Sequence, residues 1–343
     1  MLSATEIADF RSSLRDWFRV HKRDLPWRRT RDPYAILISE IMLQQTRVAA
    51  AIPYYERFLA RFPTVAALAC AAEGDLLAAW AGLGYYHRVR NLQKAARIIN
   101  TAGAFPSTYT DIRDLPGVGD YTAAAIASMC FDLPHAVLDG NVLRVLSRLL
   151  DDAANISSGS GRRHFAAGAG ELLDRTDPGS FNQAMMELGA TVCLPSRPQC
   201  LVCPVSALCR ARQNGTQQDR PSRIERPTAS DESRVVFWIA QADRILLWQR
   251  PPNLRLMPGF WELPELSHLP GVIAGPEIGA FTHTITHHRY RFTVVRATAP
   301  VEIGHCRWFE LSELDSLPVS TVFKKARRTV AAAPPAFTTS ASV

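Results

Sequence analysis

Apolar residues recur at helical spacing through the first two thirds of the chain. In "TEIADFRSSLRDWF" they fall at Ile7, Phe10, Leu14, Trp17 and Phe18, one face of a helix with about 3.6 residues per turn. Asp32-Pro33 has the form of an N-cap followed by proline at the first helical position, and the helix it opens carries Ile36, Leu37, Glu40, Ile41 and Leu43. "EGDLLAAWAGL", "RNLQKAARIIN", "YTAAAIASMCF", "NVLRVLSRLL" and "FNQAMMELGATV" predict further helices, separated by short Gly and Pro punctuation. Residues 1–210 therefore predict an all-α domain.

The pattern then changes. Residues 211–233, "ARQNGTQQDRPSRIERPTASDES", are polar and nearly free of large apolar side chains, the composition of a linker. Beyond them "SRVVFWIAQADRILLWQR" predicts two strands joined by a turn, and "HHRYRFTVVRATA" and "CRWFELSEL" predict more strands. Residues 234–330 read as an α+β domain and 331–343 as a disordered tail. Two domains also suit a chain of 343 residues.

No run of about eighteen apolar residues occurs, so no transmembrane helix is expected. The N-terminus lacks the basic start, apolar block and small-residue site of a secretory signal, and a cytoplasmic protein is expected. In that reducing compartment clustered cysteines read as metal ligands before disulfides. Net charge is +7, carried mostly by Arg, with Lys only at 22, 94, 324 and 325. A basic surface suits a polyanion such as nucleic acid, though it also serves solubility.

Four of the seven cysteines, Cys193, Cys200, Cys203 and Cys209, follow one another as C-x6-C-x2-C-x5-C. Four thiolates this close can surround one metal centre, either zinc or an iron–sulfur cluster. Arg197, Arg210 and Arg212 lie in or beside the loop, placed to meet phosphates. "LPGVGDYTAAAIAS" carries Leu115, Gly117, Val118 and Gly119 ahead of a helix. With the preceding "STYTDIRD" it reads as helix–hairpin–helix, its turned-out N–H groups and helix N-terminus suited to a phosphate; a plain glycine-rich turn is the alternative.

Two carboxylates stand out. Glu40 shares a helical face with Ile36 and Leu37, where burial raises a carboxyl pKa and suits a general acid. An acid that escapes to solvent or pairs with Arg is the plainer reading. Asp139 precedes "NVLRVLSRLL" and has the place of an N-cap, where a helix dipole favours the ionised form. One protonated and one ionised carboxyl form the pair that glycosidic cleavage uses.

These motifs, in this order, resemble the helix–hairpin–helix, Gly/Pro–Asp superfamily of base-excision DNA glycosylases. "LPGVG" is the Gly/Pro segment, Asp139 in "LDGNVLRVLSRLL" the aspartate, and the cysteine spacing that of a [4Fe–4S] loop. Where endonuclease III has its imine-forming Lys, this chain has Tyr121, which cannot form an imine. "LPWRRTRDPYAILISEIMLQQTRVAAAIPYYERF", "GLGYYHRVRNL" and the second domain are similar to the MutY-type adenine glycosylases. The resemblance covers residues 5 to about 330. It implies a monofunctional enzyme that removes adenine mispaired with 8-oxoguanine or guanine in double-stranded DNA. No oligomerisation motif stands out in the sequence, and a monomer is expected.

The resemblance also implies residue roles. Glu40 protonates the adenine ring and Asp139 stabilises the cationic sugar, supported by Tyr121 and Asn141. Gln45 and Tyr85 wedge into the base stack. Leu115, Gly117, Val118, Gly119 and Arg197 contact the DNA backbone. Cys193, Cys200, Cys203 and Cys209 hold a [4Fe–4S] cluster. The C-terminal domain is Nudix-like and reads 8-oxoguanine, with Thr286 and His287 in the recognition loop and Ile285 where the family has Phe. It lacks the glutamate-rich Nudix catalytic box, so no pyrophosphatase activity is expected. Cys70, Cys130 and Cys306 are expected to be packing residues. Two other readings are a bifunctional pyrimidine glycosylase/lyase, opposed by Tyr121, and a non-catalytic DNA clamp, opposed by Glu40 and Asp139.

Overall fold

The structure is a computed structural model and describes residues 2–222, 230–251, 253–254, 257–285, 288–315 and 317–333. The helices of the N-terminal two thirds are α1 (Ala4–His21), α2 (Pro33–Leu43), α3 (Val48–Arg61), α4 (Val65–Ala69), α5 (Glu73–Trp80), α6 (His87–Ala102), α7 (Tyr109–Arg113), α8 (Asp120–Phe131), α9 (Gly140–Leu149), α10 (Gly159–Leu172), α11 (Pro178–Thr191) and α12 (Arg210–Gln213). The chain divides into two compact units, Met1–Ala71 with Arg88–Glu225, and Ala72–His87 with Arg226–Val343. The first unit thus lacks the segment 72–87, which the continuous 1–210 division from sequence includes.

Helix α1 forms where its apolar period places it. Phe10, Leu14 and Phe18 are buried, and Ser3 and Glu6 close a capping box at its start. Asp32 caps α2 by accepting from the Tyr34 N–H, with Pro33 at the first position. Tyr34 through Met42 are all buried, so α2 runs through the interior of its unit and carries Glu40 in with it. A large cluster built on Phe10, Leu14, Leu146, Phe165, Met185 and Leu188 packs α1, α9, α10 and α11 together. Among the described residues no helix is long and apolar enough to cross a membrane.

The second unit holds β1 (Ser230–Trp238), β2 (Ala240–Gln241), β3 (Arg244–Gln249), β4 (Trp261–Glu262), β5 (Ile273–Ile285), β6 (His288–Thr298), β7 (Cys306–Glu310) and α13 (Thr321–Ala332). One sheet has the order β1-β6-β5, with β1 parallel to β6. In the other, β3 pairs antiparallel with β2, β4 and β7. The run expected as one hairpin is therefore split. Its first strand enters the β6 sheet, while β2 and β3 make a tight hairpin in the other. Phe323 and Ala326 of α13 pack onto Val236, Phe292 and Val294. Helix α13 occupies part of what reads as tail, and the expected linker begins with α12 and ends inside β1. Residues 334–343 of the tail and 223–229 of the linker lie outside the described residues.

Candidate active site

Glu40 and Asp139 come to the same interior of the first unit from different elements. Glu40 sits on α2 and is 4% exposed, and its Oε2 has no hydrogen-bond partner. Burial raises its pKa to about 7, the charge of Asp139 adds to the rise, and the Tyr121 hydroxyl and Arg28 oppose it. Asp139 caps α9: Oδ1 accepts from the Val142 N–H at 2.7 Å and Oδ2 from Asn141 Nδ2 at 2.8 Å. Burial raises its pKa, and these hydrogen bonds hold the rise back without cancelling it. The expected dipole stabilisation thus does not dominate, because the cap lies inside the protein.

Tyr121 is the second residue of α8. Its hydroxyl donates to Met186 Sδ at 3.2 Å, and burial together with Glu40 and Asp139 holds its pKa well above the ordinary value, so it remains a neutral phenol. Helices α2, α8 and α9, which bear Glu40, Tyr121 and the Asp139 cap, carry no lysine, and the first unit's lysines are Lys22, just after α1, and Lys94 on α6. The cationic groups that act on the pair are Arg28 at Glu40 and Arg144 at Asp139.

Several residues that hold this site escaped the sequence reading. Arg144, one turn beyond Asn141, donates to Asn141 Oδ1 at 2.8 Å and to the carbonyls of Gly189 at 2.9 Å and Cys193 at 2.8 Å. It fixes the amide that orients Asp139 and ties α9 to the start of the cysteine loop. Gly189 permits the close approach of α11, since a Cβ there would lie 2.6 Å from Asn141 Cβ. Glu187 is 1% exposed and accepts from Arg23 Nε at 2.7 Å, Arg23 Nη2 at 2.7 Å and Arg28 Nη2 at 2.8 Å. Burial alone would raise its pKa, but the two guanidiniums outweigh it and hold the carboxyl at about 2. Arg88, 4% exposed, donates to the carbonyls of Ile41 at 2.8 Å and Met42 at 3.1 Å, closing the end of the helix that bears Glu40. Glu187 carries the signature that marks Glu40, an acid on an apolar helical face. Arg144 was legible as the next residue on the face of Asn141.

The helix–hairpin–helix forms between α7 and α8. Gly117 has φ +82° and a Cβ there would meet Asn91 Cβ at 2.8 Å, so this position requires glycine. Gly119 differs from expectation: its φ is −106°, which any residue adopts, and a Cβ would meet nothing within 4 Å. It caps α8 without a side chain, leaving the first helical N–H groups uncapped from that side. The Val118 N–H donates to the Leu115 carbonyl at 3.1 Å. Leu115 is 5% exposed, so its side chain belongs to the core, and its N–H donates to the Ile112 carbonyl at 3.2 Å, which does not favour the DNA contact expected of it.

The two expected wedges share an unusual backbone. Gln45 has φ +58° and Tyr85 φ +48°, left-handed conformations uncommon for such residues, and both side chains are exposed. Gln45 belongs to the first unit and Tyr85 to the second. Thr286 and His287 lie outside the described residues, between the end of β5 at Ile285 and the start of β6 at His288.

Cys193, Cys200, Cys203 and Cys209 line one small cavity with Arg148, Pro198, Gln199, Arg212 and Gln217. Arg148 is 2% exposed and donates to Cys193 Sγ at 3.3 Å and to the carbonyls of Leu194 at 2.7 Å and Pro195 at 2.9 Å. Burial raises the thiols of Cys203 to about 12 and of Cys209 in the same direction, and the neighbouring cysteines add to both. Among the described residues no three His, Cys, Asp or Glu side chains are grouped as for a single bound ion. Four sulfurs around a cavity, with a buried guanidinium to offset thiolate charge, nonetheless fit an all-cysteine group. Arg197 is exposed on the same loop. Of the other cysteines, Cys306 is buried as expected and Cys130 half-buried, while Cys70 is exposed at the end of α4, where it packs little.

Residues 38–165 match the HhH-GPD superfamily of base excision DNA repair proteins, and residues 235–329 match a NUDIX domain. The adenine DNA glycosylase of Homo sapiens is 35% identical, the match covering 94% of this chain and 74% of that protein. That of Buchnera aphidicola subsp. Baizongia pistaciae is 34% identical, covering 74% and 71%. Among solved structures, a thermostable thymine-DNA glycosylase is similar with a TM-score of 0.57 and 28% identity, over 61% of this chain and 98% of that one. An Endonuclease III–DNA complex shares the fold with a TM-score of 0.54 and 22% identity, over 63% and 100%. Similarity that runs through both units, and through the helices bearing Glu40 and Asp139, shows that this chain belongs to the adenine DNA glycosylase family.

Proposed function

We propose that the protein excises adenine from duplex DNA by hydrolysing the bond between base and deoxyribose, where the adenine lies opposite 8-oxoguanine or guanine. The observation that carries this reading is the buried pair Glu40 and Asp139. A carboxyl with a pKa of about 7 retains a proton near neutrality and can give it to a ring nitrogen of the departing adenine. As the bond breaks, positive charge grows on the sugar. Asp139, oriented by Val142 and Asn141, supplies the opposing charge, and water then adds to the sugar carbon while a carboxylate takes its proton. Tyr121 borders both carboxyls and offers no amine, so the product is an intact strand with an abasic site.

The remaining parts serve access and grip. Main-chain N–H groups of Gly117 and Gly119, with Arg197, hold phosphates, while the Val118 N–H is kept by the Leu115 carbonyl and shapes the turn. Gln45 and Tyr85 enter the stack as adenine leaves it, and Thr286 and His287 read the base opposite. Cys193, Cys200, Cys203 and Cys209 hold a [4Fe–4S] cluster, which when bound supplies a cross-link that shapes the loop, since hydrolysis transfers no electrons. The protein acts as a monomer.

The test is base release from a duplex with adenine opposite 8-oxoguanine, each sample divided and half heated with alkali. Free adenine with strand cleavage only after alkali is expected. Cleavage without alkali would mean a lyase. Tight binding with no adenine release would make the protein a clamp.

A further inference from the structure

The polar run after the fourth cysteine has the composition of a linker, yet its first part is strapped to the first unit. Asp151 accepts from Asn214 Nδ2 at 2.9 Å and Thr216 Oγ1 at 2.6 Å, and pairs with Arg220 Nε at 3.0 Å. Arg148 Nε donates to the Arg220 carbonyl at 2.9 Å, and Ser222 Oγ to the Ala153 carbonyl at 2.9 Å. These anchors fix the chain on both sides of Gln217. Gln217 lines the cavity of the four cysteines, and its buried Oε1 has no hydrogen-bond partner.

A buried acceptor without a partner is costly, and one on a residue that lines a cavity with four cysteines is in the wrong company. A half-turn of the amide exchanges oxygen for NH2 with almost no change in shape. In that orientation the strap presents a donor to the sulfurs, and its anchors hold that donor in place. Arg148, another lining residue, already donates to Cys193 Sγ at 3.3 Å, so the site receives one such bond.

We propose that the Gln217 amide donates a hydrogen bond to sulfur in the cysteine site and thereby tunes the bound iron–sulfur group. The inference rests on the [4Fe–4S] reading above. A donor to sulfur withdraws electron density and favours the more reduced state. Gln217→Leu keeps the bulk and removes the donor. Gln217→Glu keeps the shape and replaces the donor with an acceptor.

The experiment is iron and acid-labile sulfide analysis of full-length protein, followed by voltammetry of the one-electron cluster couple. Wild type and Gln217→Leu should carry equal iron and sulfide. The Gln217→Leu potential should move negative by about a tenfold change in the oxidised-to-reduced ratio, ~59 mV for one electron. Gln217→Glu should move further the same way, and it serves as the readout if Gln217→Leu loses iron. An unchanged potential in a fully loaded variant overturns the role of Gln217. Absence of iron and sulfide from wild type overturns the cofactor reading itself, a distinct result.

Discussion

Glu40→Gln should slow the enzyme severely and gain stability relative to wild type as pH rises to neutrality. The rise of the Glu40 pKa from 4.5 to about 7 means that the folded protein disfavours the ionised carboxyl. At about 1.36 kcal/mol per pH unit, this costs about 3 kcal/mol once the group is ionised in both states. The sign follows from proton binding. Below pH 4.5 both states are protonated and the term vanishes. Between 4.5 and about 7 the folded chain holds a proton that the unfolded chain has released, so stability falls as pH rises, and the loss is complete above about 7. Glutamine has no such term. Any pH-independent cost of placing an amide there shifts the whole curve and leaves its slope alone. Urea unfolding of both proteins, followed by tryptophan fluorescence from pH 4.5 to 8.5, should show the variant gaining about 3 kcal/mol on wild type across that range. A difference that stays constant with pH would mean that Glu40 titrates as an ordinary carboxylate, and the proton-donor assignment would fail with it.

Two glycine substitutions test other parts of the account. Gly117→Ala forces a left-handed residue at φ +82° against Asn91, and should cost about 1–3 kcal/mol of stability and weaken binding to undamaged duplex, read by unfolding and by fluorescence anisotropy. Gly189→Ala would place a Cβ 2.6 Å from Asn141 Cβ. It should slow adenine release by about tenfold or more while duplex affinity is retained, because Asn141 is pushed away from Asp139 and the hairpin is untouched; equal losses of rate and affinity would assign Gly189 to general packing.

The parts of the fold that are local in sequence were legible. The α1 stripe, the Asp32-Pro33 start of α2 and the Asp139 cap each announce themselves within a few residues. Glu40 was legible as a candidate from its apolar helix face, but that face alone also allowed an acid paired with Arg, and the motifs around it tipped the reading. Glu187 has the same signature, but its meaning depends on Arg23 and Arg28, some 160 residues away. Strand β5 was missed because Gly275, Pro276 and Gly279 interrupt its apolar alternation, and the structure accommodates them with register shifts between Ala274 and Gly279. The strand pattern of β1 and β3 was read correctly and their pairing was not, since alternation reports which face is buried and says little about which sheet a strand joins. The strap at 214–222 looked like linker because its anchors are tertiary contacts to Asp151 and Arg148.

The most direct test of the central claim is the single-turnover rate of adenine release opposite 8-oxoguanine, measured from pH 6 to 9 for wild type, Glu40→Gln and Asp139→Asn. Wild type should release adenine at a rate that falls about tenfold per pH unit above about 7, as Glu40 loses its proton, and both variants should be slower by about two orders of magnitude or more. A flat profile with active variants would show that this carboxyl pair does not carry the reaction.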